Sequence, residues 1–191
     1  MTSTGSVHVR TRVIYHGVSD NNNAATGDEG SPPITFHTYA VGLVGDEFHV
    51  YRRRCPDQSR PEADEWETFV GNDFCQVGMW DNPDRLINVS ENLGGRFQTL
   101  LPGESWSNSW TMEADGYLLP DDLKPGERLR HQFKGSTLDW WDWGTAADHT
   151  QTIVTLPGSG LEPISDPKDN GGRPKVVVPA SNIAEWTVVD E

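Results

Sequence analysis

Between Ser105 and Met112 the chain alternates without a break. Trp106, Asn108, Trp110 and Met112 fall on one side, and Ser105, Ser107, Ser109 and Thr111 on the other. A β-strand turns that order into one bulky and one small polar face, because successive strand side chains point to opposite sides. The pattern sends Trp106 and Trp110 inward. The same period sets Val7, Val9, Thr11, Val13 and Tyr15 against His8, Arg10, Arg12, Ile14 and His16. It also sets Leu129, His131 and Phe133 against Arg128, Arg130, Gln132 and Lys134. Ile34 to Val44 alternates with apolar residues on both sides, as expected of a central strand. Shorter strands are expected over 85–89, 96–101, 138–143, 149–156, 175–178 and 185–189.

No stretch sustains a helical period, and Gly/Pro turns separate the strands. The expected fold is therefore all-β: a single antiparallel β-sandwich, immunoglobulin-like, of about seven to nine strands. A partly open β-barrel is the alternative. The length of 191 residues suits one domain. Residues 1–157 are assigned to the sandwich. Residues 158–191 are read as a linker and a C-terminal tail docked on the same domain. Gly45-Asp46 reads as a hairpin turn and Pro56 to Glu67 as a loop, with a helical turn near Pro61 to Trp66. Ser19 to Pro33 and Pro157 to Pro174 read as the most mobile segments.

The charge balance excludes partners. Against 29 Asp+Glu stand 15 Lys+Arg, for a net charge of −14. Nucleic acid and anionic membrane surfaces are disfavoured, since both need a basic face. The one basic run, Arg52-Arg53-Arg54, is followed by Asp57, Glu62, Asp64, Glu65 and Glu67. No apolar run reaches the roughly 18–20 residues of a membrane-spanning helix. Residues 1–12 lack the apolar core of a secretory signal, so the expected compartment is cytoplasmic. Cys55 and Cys75, without CxxC spacing, are then expected as free thiols. The triplet Asn88-Val89-Ser90 would matter only under secretion.

Two Leu-x-Pro-Gly-Glu stretches, Leu100 to Glu104 and Leu123 to Glu127, read as two similar turns. With Phe97 to Ser105 before one strand and Phe133-Lys134-Gly135 after the next, residues 85–157 resemble the late strands of small immunoglobulin-like sandwiches. The nearest likeness is the non-catalytic N-terminal domain of deuterolysin-type zinc proteases. Intracellular proteinase-inhibitor domains come next. The chain has no His-Glu-x-x-His. The resemblance therefore implies an immunoglobulin-like fold and a binding or inhibitory role, and it carries over no catalytic residue.

The densest local feature is Leu138-Asp139-Trp140-Trp141-Asp142-Trp143-Gly144. As a strand it would put Asp139, Trp141 and Trp143 on one face and Trp140 and Asp142 on the other. A carboxylate desolvated among indoles suits a general acid, and exposed Trp140, Trp141 and Trp143 could stack on a ligand. The plainer reading makes the indoles core and the aspartates turn caps. His131, between Leu129 and Phe133, is either a core histidine or a general base. A tight hairpin at Gly135-Ser136 would bring Asp139 or Asp142 to it. His149 opens the next expected strand. His131, His149 and Asp142 would make a metal triad, but no spacing demands it, so no metal and no cofactor is assigned. His8 and His16 are expected at the surface, while His37 and His49 are dispersed strand residues. No GxSxG, P-loop or GxGxxG occurs.

Two function classes follow. The first is a non-enzymatic binding or inhibitory module that recognises a protein or glycan through Trp-rich loops. The second is a cofactor-independent acid–base enzyme on an apolar small molecule, a cyclase, isomerase, dehydratase or hydrolase. His131, Asp139, Asp142 and His149 would then move protons. A ligand-sized cavity beside Trp140 to Trp143 would separate the two.

Overall fold

The computed structural model describes residues 6–18, 30–42, 47–53, 66–69, 83–113, 119–158, 164 and 173–189. These residues are all-β. In chain order the strands are β1 (Ser6–Ile14), β2 (Ile34–His37), β3 (Phe48–Arg53), β4 (Trp66–Phe69), β5 (Arg85–Asn88), β6 (Phe97–Leu100), β7 (Ser105–Glu113), β8 (Arg128–Phe133), β9 (Ser136–Thr137), β10 (Trp141–Trp143), β11 (Ile153–Leu156), β12 (Val177–Val178) and β13 (Ala184–Thr187). Every ladder is antiparallel. The orders are β13-β8-β3-β4, β10-β2-β6, β1-β7, β11-β5 and β12-β9. The chain is an antiparallel β-sandwich. No ladder closes on itself into a barrel among the described residues. No helix among them is long and apolar enough to cross a membrane.

Alternation builds the long strands as expected. In β1, Val7, Val9, Thr11 and Val13 turn inward while His8, Arg10, Arg12 and Ile14 are exposed. In β7, Trp106 packs on the core around Ile34, Phe36 and Trp141, and Trp110 on the core around Val50, Met112 and Leu129. Both indoles are half-buried rather than fully enclosed. β2 is central, between β10 and β6, and all four of its residues are buried. Ile34 and Phe36 face the first core; Thr35 and His37 face the opposite side, where Val89, Phe97, Trp140 and Val154 form another.

The two Leu-x-Pro-Gly-Glu stretches adopt one geometry. Gly103 and Gly126 take φ of 83° and 86°, the left-handed value a type II turn needs at its third position. The Glu104 N–H donates to Leu101 O at 2.9 Å, and the Glu127 N–H to Lys124 O at 3.1 Å. Each glutamate carboxylate accepts back from the turn, at Leu101 N (2.8 Å) and Lys124 N (3.1 Å). Each turn then clasps a strand end through a paired amide and carbonyl, Tyr15 in one case and Val188 in the other.

Several boundaries differ from the sequence reading. The strand expected over Ile34 to Val44 stops at His37. Thr38 turns helical, its hydroxyl donates to Arg96 O, and Tyr39–Val41 winds into a 3-10 turn. The strand expected from His149 starts at Ile153, because Asp148 accepts from the Thr145 N–H (2.7 Å) and hydroxyl (2.9 Å) and closes a turn ahead of it. Those bonds hold the Asp148 carboxyl below its usual range. Trp66 and Glu67, read as loop, lie in β4. The hairpin at Gly135-Ser136 does not form. β8 pairs with β3 and β13, while β9 pairs with β12. Gly135 instead lets the Pro179 segment approach, where a Cβ would meet Val178 O at 3.0 Å. Gly45-Asp46, Cys55 and Cys75, and most of Ser19 to Pro33 and Pro157 to Pro174, lie outside the described residues.

Candidate functional site

The tryptophan segment is largely interior. Trp140 is fully buried, edge-on to Phe97 at 5.3 Å and to His149 at 5.7 Å. Its neighbour Trp141 is buried in the other core, and its indole N–H donates to Pro174 O at 3.1 Å. Two successive buried indoles fit because both faces of the β10-β2-β6 ladder are covered. Trp143 alone reaches the surface, at 39% exposure, resting edge-on against Trp141. Asp142 pairs with Arg173 at 2.6 Å and accepts from the Trp143 N–H. Of the three candidate ligand-binding tryptophans, only Trp143 offers a surface.

Asp139 lies before β10 and does not share its face. Its Oδ1 accepts from the Trp140 N–H at 2.9 Å. Its Oδ2 accepts from the Ile164 N–H at 2.7 Å and from His37 Nδ1 at 2.8 Å. The imidazole of His37 packs between Tyr39, parallel at 6.0 Å, and Phe97, tilted at 5.2 Å. Sequence reasoning did not pair these residues. They stand 102 positions apart, and only the β10–β2 ladder joins them. The carboxylate thus ties β2, β10 and the Ile164 segment together. A part-buried acceptor with three donors is an anchor, since each donor left without it would carry a desolvation penalty.

The four candidate proton-transfer residues do not converge. His149 is buried against Trp140, with Nδ1 3.2 Å from the Thr152 hydroxyl and Nε2 without a partner among the described residues. His131 stands on β8, opposite Ala184 and Val50 in register. Asp139 meets His37, and Asp142 meets Arg173. No group of three His, Cys, Asp or Glu among the described residues is placed to hold a metal ion.

His131 sits in a different kind of place. It is 6% exposed, stacked on Phe48 at 5.5 Å and edge-on to Trp110 at 5.8 Å. The ring makes no hydrogen bond among the described residues, and unlike His149 Nε2 its nitrogens are not sealed from solvent. Burial pushes its pKa below the ordinary 6.5, so the ring is neutral at pH 7. Beside it runs a groove of about 280 Å³. Phe48, His131 and Phe133 form the floor, β1 one wall, and Ser181, Asn182 and Ala184 the other. The far wall is fixed by Ser181, whose N–H donates to Phe133 O and whose hydroxyl accepts from the Phe133 N–H. Alternation in β8 marks His131 as inward-facing. The walls come from segments far away in sequence and leave no local signal.

No family model matches this chain, and neither a curated protein nor a solved structure matches it. The functional reading rests on the geometry alone. That geometry separates a buried tryptophan segment, whose carboxylates and Trp141 indole are engaged within the fold, from an open groove beside His131.

Proposed function

We propose that the protein is a non-catalytic binding module whose ligand seats in the groove between β1 and Ser181–Ala184. The observation that supports this is His131: a buried imidazole that makes no hydrogen bond among the described residues, neutral at pH 7, flanking a groove of about 280 Å³ with apolar and polar walls. Such mixed lining is what ligand sites use, apolar area for affinity and a few polar groups for orientation. An inhibitory role, as the likeness to proteinase-inhibitor domains implies, is one form such binding takes. In the experiment, extended peptides from a random display library are selected against the whole protein. Their binding should fall at least ten-fold in Ala184→Trp, which fills the groove, and persist in Trp143→Ala. Loss in Trp143→Ala with retention in Ala184→Trp would return the site to the tryptophan segment.

The acid–base reading keeps one supporting observation, the 2.8 Å contact between His37 and Asp139. Its test is a turnover screen on small apolar carbonyl and hydroxyl compounds, in which His37→Gln must abolish any activity found.

A further inference from the structure

We propose that β1 accepts an extended acidic segment of a partner protein as an added strand, its alternating carboxylates on Arg10 and Arg12 and its intervening apolar side chains in the groove over His131. The proposal deepens the binding reading above and rests on it.

Four observations carry it. First, β1 is nine residues long and, among the described residues, pairs with β7 alone. No β7 residue lines the groove, so the groove runs along the other edge of β1. An unpaired edge presents a row of main-chain donors and acceptors that an extended peptide can complete. Second, alternation separates two functions along that edge. Val9 and Thr11 face inward toward the groove, while Arg10 and Arg12 stand outside at its rim. Third, these two arginines have no acidic partner among the described residues. Arg12 has no partner among the described residues, and Arg10 reaches only the Ser107 hydroxyl at 3.3 Å. Their neighbours across the ladder are Ser107 and Ser109. Arg52, Arg128 and Arg130, by contrast, are each paired with a carboxylate. Fourth, same-face side chains on a strand recur every ~6.6–6.8 Å, and those of an added strand lie ~4.5–5.5 Å across. A partner reading acid–apolar–acid–apolar therefore meets arginine with each acid and the groove with each apolar residue.

Charge and chemistry decide against the other occupants. A second copy pairing antiparallel through β1 would set arginine against arginine, which destabilises a ladder. A sulfated glycan or nucleic acid has no apolar side chains for the groove and no main-chain amides to complete the strand edge.

The test is fluorescence anisotropy with labelled octapeptides on the whole protein. An octapeptide of alternating Glu and Val should bind saturably, and one of alternating Lys and Val should not. Arg10→Glu with Arg12→Glu, both exposed positions, should weaken the first peptide at least ten-fold and gain the second. N-methylation of alternate amides on the pairing edge should abolish binding. Absence of saturable binding, equal binding by the charge-reversed protein, or binding of a heparin hexasaccharide in preference to the peptide would overturn the proposal. So would dimerisation of the reversed protein without peptide binding, which would make the arginines a guard against edge pairing. If non-acidic library peptides still depend on the groove while the Glu–Val peptide fails, the acidic-strand inference falls and the binding reading stands.

Discussion

The segment from Leu138 to His149 and the groove beside His131 make an instructive pair. The first concentrates three tryptophans, two carboxylates and a histidine, yet nearly every polar group in it is engaged within the fold. Asp139 serves His37 and two backbone amides, Asp142 serves Arg173, and the Trp141 indole serves Pro174. The second is ordinary in sequence, but among the described residues it leaves an imidazole without a hydrogen bond, a strand edge unpaired and two arginines without a carboxylate. Density of chemical groups marked the first region. What marks a site for an outside partner is that its groups remain unsatisfied by the chain itself.

The comparison breaks most visibly through stability. Trp140→Ala should cost about 3–5 kcal/mol, the range for deleting a buried aromatic, read from the urea midpoint. A shift under about 1 kcal/mol would show the segment is not core. Asp139→Ala should cost about 3 kcal/mol, because backbone donors that it satisfies lose their acceptor at ~1–3 kcal/mol each. Amide exchange at Trp140 and Ile164 should rise with it; unchanged exchange would deny the anchor.

A third expectation concerns pH. The folded-state pKa of His131 lies below its unfolded value of about 6.5, so the unfolded chain binds the extra proton first. This contribution to stability is fully present above about pH 6.5 and is lost as pH falls through and below it. The unfolding free energy of the protein minus that of His131→Leu should therefore fall on acidification from pH 7.5 to 5. A constant difference would place the ring in water. The smallest effect belongs to the rim. Arg10→Ala and Arg12→Ala should each change stability by less than ~0.5 kcal/mol, as exposed side chains without an ionic partner do. A larger loss would mean the arginines hold the fold.

These regions differ in legibility for physical reasons. Strands with one wet face announce themselves, so β1, β7 and β8 stand out in the residue order. The Pro-Gly turns do too, because few residues tolerate φ near +85°. β10 is obscured, since Trp140 and Trp141 are both buried in succession and the period-two rule fails where both faces are covered. β9 and β12 span two residues each, too short for any period. His37 and Asp139 meet only through strand pairing across most of the chain. The groove was least legible of all, being the space between β1 and a segment some 170 positions later.

The most direct test of the account is chemical-shift mapping of the whole protein with the tightest library-selected peptide. The account predicts perturbations centred on His131, Phe48, Phe133 and Ser181, with the Trp143 indole unmoved. Perturbations centred on Trp143 and Asp142, with the His131 ring silent, would contradict it.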